Sequence, residues 1–325
     1  MMRSSQVSFS FLLIPAFICL AGLSAAFTGN AFTSDDNDRS SPINSENALI
    51  DTPVSLDNAI QTSHLRTDVY VFHPRPVVIG DASGYTPPDF SNIKDTRTKK
   101  QAFYDYLLPK IHLANQEVML ERKWIAALLE NLDQGLYPTD QELIDLERIE
   151  NRYAVPGTRG SRVDHSNRTA FYQPADQIRN RLQGMLTRAD IVPASLVIAQ
   201  AAKESGWGSS RFAREGNNYF GIWCFTRNCG MTPIRRDNNR SHEVATFDSV
   251  EEGVRYYIRT INSHFAYTEL RNMRAQARQQ DRQLRGEKLA TGLVSYSERG
   301  MMYVNEIRSM IQYNRLKRFS RIYSA

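Results

Sequence analysis

The chain has 325 residues, 41% of them hydrophobic, 23% charged and 10% aromatic, the profile of a globular protein with a sizeable core. That profile excludes a wholly disordered chain, a collagen-like chain and a protein built of many membrane spans. Forty Lys and Arg against 35 Asp and Glu leave a net charge of +5. The basic residues are spread rather than gathered into one stripe, so nucleic acid is not an expected partner.

At the start of the chain, Arg3 precedes an uncharged, mostly apolar run over 11–27 that contains Ser24, Ala25 and Ala26. Small residues at the end of such a run read as a secretory signal peptide over 1–26 and predict export to the periplasm or the medium. Any membrane attachment would come from this segment staying uncleaved. Residues 27–90 begin with a polar stretch rich in Ser, Asn, Asp and Thr and continue into Pro-containing chain. Too little of it is apolar to offset its ordering entropy, so a flexible tether is expected. Residues 91–172 form an N-terminal helical layer, with Phe103, Leu107 and Ile111 on one face and Trp124, Leu128 and Leu132 continuing the pattern. Pro109 is expected to kink or interrupt the first helix. Thr139 and Glu142 have the spacing of a capping box that opens another helix, and the Pro and Gly of 155–161 mark a loop.

The remaining region, 173–325, starts with a helix after Pro174 that carries Ile178, Leu182 and Met185 on one face. The next begins at Pro193 and stops at Gly206, the usual order of helix punctuation. Within it Leu196, Gln200 and Glu204 recur every four residues, so Glu204 lies on a core-facing stripe. Burial and the negative end of the helix dipole both disfavour its carboxylate. A carboxyl that keeps its proton near neutrality is what a general acid requires. With the signal removed, Cys224 and Cys229 remain and are expected to form a disulfide. Six scattered histidines with no His-Glu-x-x-His give no reason to expect a metal, and no phosphate or dinucleotide fingerprint points to a cofactor.

The run from Ala199 to Gly208, followed by Asn217-Asn-Tyr-Phe-Gly-Ile-Trp223, resembles the signature of peptidoglycan N-acetylglucosaminidases of glycoside hydrolase family 73. More narrowly it resembles the Bax-type proteins of Gram-negative bacteria. Residues 242–249, Asn262 to His264 with Tyr267, and Tyr296 to Gly300 with Tyr303 extend the similarity over roughly 90–320. The resemblance implies a mainly α, lysozyme-like helical domain with a small β-hairpin lobe. It also implies hydrolysis of β-1,4 bonds in peptidoglycan glycan strands by a monomer. The family's general acid falls on Glu204, its Asn-Tyr-Phe-Gly segment on Asn218, Tyr219, Phe220 and Gly221, and its active-site tyrosine on Tyr267.

The hairpin is also readable from the residues, as a strand over 231–236, a turn over 237–241 and a return strand from His242 to Phe247. Ser249 and Glu252 then cap a helix bearing Val250, Val254, Ile258 and Ile261, which makes Glu251 and Glu252 structural. Many family members carry a second carboxylate early in the hairpin, where this chain has Pro233-Ile-Arg-Arg236. Glu243 is the nearest substitute, with Asp237 behind it. Across an open cleft Glu243 would give inversion, in a close pair retention, and without either the substrate's own N-acetyl group would assist. Tyr219 and Trp223 are candidate sugar platforms, whereas Trp207 reads as packing. Asn217 and Asn218 either donate to acetamido oxygens or build the turn before the hairpin. Besides a glucosaminidase, the sequence leaves open a lytic transglycosylase or muramidase, and a wall-binding scaffold of weak activity.

Overall fold

A computed structural model describes residues 87–153, 173–225, 228–233 and 243–323. The expected signal peptide, most of the tether, the 155–161 loop and the hairpin turn with Asp237 lie outside the described residues. The described chain runs α1 (Thr96–Asp133), α2 (Asp140–Arg152), α3 (Ala175–Arg188), α4 (Ala194–Ser205), α5 (Arg211–Gly216), β1 (Trp223–Cys224), β2 (Gly230–Met231) and β3 (Glu243–Ala245). It continues through α6 (Val250–Ser263), a 3-10 turn (Phe265–Tyr267), α7 (Thr268–Gln279), α8 (Gly286–Leu289), a 3-10 segment (Ala290–Tyr296), α9 (Met301–Tyr313) and a last 3-10 segment (Leu316–Tyr323). This is the mainly α domain with a small β lobe that the sequence implies. Among the described residues, no helix is long and apolar enough to cross a membrane.

Local signals set the helix boundaries. Thr139 and Glu142 close a reciprocal capping box on α2, and the Ser249 hydroxyl accepts from the Glu252 amide at the start of α6. Pro109 does not interrupt the first helix, which runs unbroken through it. Proline deprives the carbonyl four residues earlier of its donor. Here Pro109 and Asp105 are both exposed, so water can take that place. Phe103, Leu107 and Ile111 are fully buried as the spacing predicts. Further along, Ile125 occupies the core position and Trp124 is half-buried.

Helix α4 is the hub. Its residues Ala194–Ala202 are all buried, and α1, α8, α9 and the last 3-10 segment pack around it. Its small side chains let neighbours approach: a Cβ on Gly286 would stand 2.4 Å from the Ser195 hydroxyl oxygen. Pro193 gives α4 no side-chain cap. Instead the Ser320 hydroxyl accepts from the Ser195 amide at 3.1 Å and donates to the Ser195 hydroxyl at 2.8 Å, meeting an orphan donor of the first turn.

The connection from α3 into α4 is held by a buried cation. Arg274 on α7 donates to the carbonyls of Thr187, Arg188, Asp190 and Ile191 and to the Asn262 amide oxygen. The Asp190 carboxylate takes a fork from Arg278, at 2.8 and 3.0 Å. These pairings hold it below the ordinary carboxylate range although burial pushes it up.

The β lobe is a three-stranded antiparallel sheet in the order β1-β3-β2. Trp223 pairs with Val244 and Cys224 with Glu243, while Gly230 pairs with Ala245 and Met231 with Val244. The expected return strand is therefore central, and β1, which the hairpin reading left out, covers its other edge. A Cβ on Gly230 would lie 1.9 Å from the Val244 carbonyl oxygen, so only glycine permits this pairing. The Cys224–Cys229 disulfide closes the loop between β1 and β2.

Candidate active site

Glu204 is the penultimate residue of α4, followed by Ser205 and the left-handed Gly206 (φ 58°). The chain then turns back through Trp207, whose amide donates to the Ala202 carbonyl at 2.9 Å. Trp207 packs edge-on against Phe103 and Tyr104, the structural place expected of it. Gly208 seals the turn, for a Cβ there would lie 2.3 Å from the Phe90 ring.

The Glu204 carboxyl faces inward. The Tyr303 hydroxyl on α9 donates to its Oε1 at 2.9 Å. Behind it Gln200, one turn back along α4, donates to the Tyr303 oxygen at 2.9 Å and accepts from the Tyr257 hydroxyl. A relay of phenol, amide and phenol thus fixes which way the acid points. Tyr296 stacks on Tyr303 with ring centroids 5.4 Å apart, and Tyr267 lies 6.1 Å from Tyr296.

Burial pushes the Glu204 carboxyl up to about 7, against the Tyr303 hydrogen bond and the Lys203 charge, with the Glu306 charge adding to the rise. The Tyr257, Tyr267, Tyr296 and Tyr303 hydroxyls are raised in turn, first by burial, with the Glu204 charge contributing to each. They stay protonated at neutral pH, and of them Tyr303 donates to the acid itself.

The Asn218-Tyr-Phe-Gly segment forms the other wall. Asn218 is buried and its amide is spent within the fold: it donates to the Ile222 and Ala245 carbonyls, each at 2.8 Å, and accepts from the Phe220 and Ile222 amides. Asn217, in the left-handed region at φ 51°, donates to the Phe247 carbonyl. Tyr219 and Phe220 are each 1% exposed. Tyr219 packs towards Phe103 and Tyr106, and Phe220 stacks on Tyr257 at 4.1 Å. The Phe220 carbonyl accepts from the Tyr296 hydroxyl at 2.7 Å. This framework delivers Gly221 (φ 64°) to the acid, where a Cβ would stand 3.6 Å from Glu204 Oε2. Trp223, half-buried on β1, continues outward from it.

Glu243 lies on β3 beside the disulfide. Its Oε2 accepts from the Gly230 amide at 2.9 Å and its Oε1 from the Asn228 amide at 3.3 Å. Cys224, Cys229 and Glu243 place ligand-type atoms within 4.8 Å of one another, but both sulfurs are spent on the disulfide, which leaves no thiolate for a metal.

The structure therefore brings Glu204, Tyr267 and the Asn218–Gly221 segment together. Two residues of the relay that orients the acid received no role from the sequence. Gln200 was visible as the residue four before Glu204. Tyr303 lies 99 residues away, a separation at which no local period operates.

A family model described as Glucosaminidase, mannosyl-glycoprotein endo-beta-N-acetylglucosaminidase, matches residues 182–316. Protein bax of Escherichia coli (strain K12) is 31% identical over 227 residues, covering 70% of this chain and 74% of that protein. No solved structure matches the chain. With Glu204, its tyrosines and the Asn218–Gly221 wall all inside the matched span, the chain belongs to the glucosaminidase family of glycoside hydrolases as a Bax-type protein.

Proposed function

We propose that the chain is an exported endo-β-N-acetylglucosaminidase that cleaves β-1,4 bonds of peptidoglycan glycan strands in the periplasm or outside the cell, with Glu204 as general acid. The observation that carries this reading is the half-buried Glu204 carboxyl, raised to about 7 by desolvation and held through one oxygen by Tyr303. Tyr303 occupies Oε1, so the proton goes to the leaving glycosidic oxygen from Oε2, over which Gly221 has no side chain. Tyr267, 1% exposed, serves the site from behind Tyr296, against which it packs.

Asn218, Tyr219 and Phe220 serve binding by holding the backbone of this wall, and Trp223 offers the sugar face its ring. Glu243, with both oxygens on the backbone amides of Asn228 and Gly230, holds together the β lobe beside the disulfide. That engagement favours the acetamido group of the substrate as the nucleophile that assists departure of the protonated leaving group.

Digestion of purified peptidoglycan by residues 27–325 and by Glu204→Gln, with the new ends identified by mass spectrometry, tests the assignment. The amide keeps the shape but has no transferable acidic proton. Ends in reducing N-acetylglucosamine from the native chain, reduced at least ~100-fold in the variant, are the expected result. Muramic ends, reducing or anhydro, would replace it with a muramidase or lytic transglycosylase. Binding without cleavage by either form would leave a wall-binding scaffold.

A further inference from the structure

Lys203 precedes Glu204 in the chain and its ammonium comes within 2.6 Å of Glu306 Oε2. Glu306 lies on α9 three residues beyond Tyr303, on the same face of the helix. Arg299, from the chain leading into α9, forks onto the same carboxylate, through one nitrogen at 2.9 Å from Oε2 and through the other at Oε1. Lys203 Nζ also lies 5.9 Å from the centre of the Tyr303 ring, whose hydroxyl holds Glu204. Two cations and one carboxylate thus occupy the flank of the proposed acid, and none of them touches it directly.

We infer that Glu306, clamped by Arg299, is a positioning residue that acts on Glu204 through Lys203, engaging the lysine ammonium so that its charge does not settle on the adjacent acid. Without Glu306, the Lys203 charge is uncompensated beside a half-buried carboxyl and favours its ionised form, and Arg299 loses the carboxylate it forks onto. A general acid next to that lysine would release its proton to water at lower pH and be spent before substrate arrives. The ordering of influences on Glu204 has the matching signs: Lys203 lowers it and Glu306 raises it. Glu306 itself is held below the ordinary carboxylate range: its hydrogen bonds from Lys203 and Arg299 outweigh burial, which pushes the other way. It therefore keeps its charge throughout the working range.

The other groups around Glu204 do not supply this charge. Tyr303 from α9, Tyr296 and Tyr267 from the 3-10 segments and Tyr257 from α6 are phenols raised out of the neutral range. From α1, Lys100 is directed to the Trp207 ring at 4.9 Å and to the Asn314 amide oxygen at 2.8 Å. From α8, Glu287 pairs with Arg285 and Lys317, each at 2.9 Å.

The inference rests on the reading of Glu204 as the acid, and the experiment separates the two. Carbon-13 NMR of the chain labelled at glutamate carboxyls follows Glu204, assigned by its loss in Glu204→Gln, without any turnover. The native midpoint is expected near 7, and Glu306→Gln should bring it down by about one unit, a tenfold loss of protonated acid at pH 8. Glu306→Asp, which keeps the charge on a shorter arm, should restore part of the shift. In a Lys203→Met background the effect of Glu306→Gln should fall below half. The alkaline limb of kcat/KM for glycan cleavage should move by the same amount as the NMR midpoint. An unmoved midpoint in Glu306→Gln, or an equal shift with Lys203 absent, overturns the inference. Full cleavage by Glu204→Gln would instead overturn the assignment of the acid, and the NMR titration would still measure the coupling.

Discussion

At the scale of single residues, the geometry around Glu204 separates two properties of an acid, its proton affinity and its direction. Burial sets the first and Tyr303 the second, and the two act in opposite senses on the pKa, because a hydrogen bond donated to the carboxylate stabilises the charged form. Tyr303→Phe should therefore raise the Glu204 midpoint and carry the alkaline limb of the pH–rate profile to higher pH, while kcat falls because the carboxyl is no longer aimed. It also leaves the Gln200 amide without its acceptor, a cost of about 1–2 kcal/mol that denaturant unfolding would register. A variant that lost activity with an unmoved pH profile would contradict this division of labour.

At the scale of elements, the Asn218–Gly221 wall depends on one side chain. The Asn218 amide uses two donors and two acceptor bonds to tie the chain before β1 to β3. Truncation strands buried carbonyls and amides together. Asn218→Ala should lose roughly 2–4 kcal/mol of stability in thermal or chemical denaturation. Cleavage should fall with it, because Gly221 is no longer held against the acid. Asn218→Asp is expected to fail as well, since it keeps the acceptors and loses both donors. What the sequence disclosed at this scale follows from distance along the chain. The capping box of α2, the Ser249 cap of α6 and the Gly206 stop of α4 span a few residues and were legible. Strand β1 was not, because a two-residue strand has no period and its partner, β3, lies some twenty residues away. The continuity of α1 through Pro109 depended on which side of the helix meets water, a property of packing. The role of the Asn218 amide was left between sugar binding and turn building because its carbonyl partners sit on elements the sequence does not register against one another.

At the scale of the whole molecule, the proposed acid places a penalty on the fold. The Glu204 carboxyl sits at about 7 in the folded chain against an ordinary value of 4.5. The folded state therefore binds the extra proton between those values. The contribution of Glu204 is fully present below pH 4.5 and is lost as pH rises through 7. Asp190 has the opposite sign: its depressed pKa adds stability that disappears as the medium turns acid. Glu204→Gln should thus be more stable than the native chain at pH 8, by about 1–3 kcal/mol once partial exposure is discounted, with the gap shrinking towards pH 5. Melting both proteins across that range checks the sign. A gap that widened in acid would refute the proton-holding state of Glu204. At this scale the sequence was most informative: the mainly α fold and its β lobe followed from one signature over 199–223, because family membership carries the long-range architecture that periodicity does not.

The two ends of α4 have a consequence in time. Its first turn is capped by Ser320 and the acid near its end is aimed by Tyr303, so the helix that bears Glu204 is completed from both ends by segments made 125 and 99 residues later. A chain released short of Tyr303 carries Glu204 with neither the hydroxyl that directs it nor the Glu306 carboxylate that occupies its lysine neighbour. The proposed acid is thereby armed only after the ribosome has added a further 99 residues.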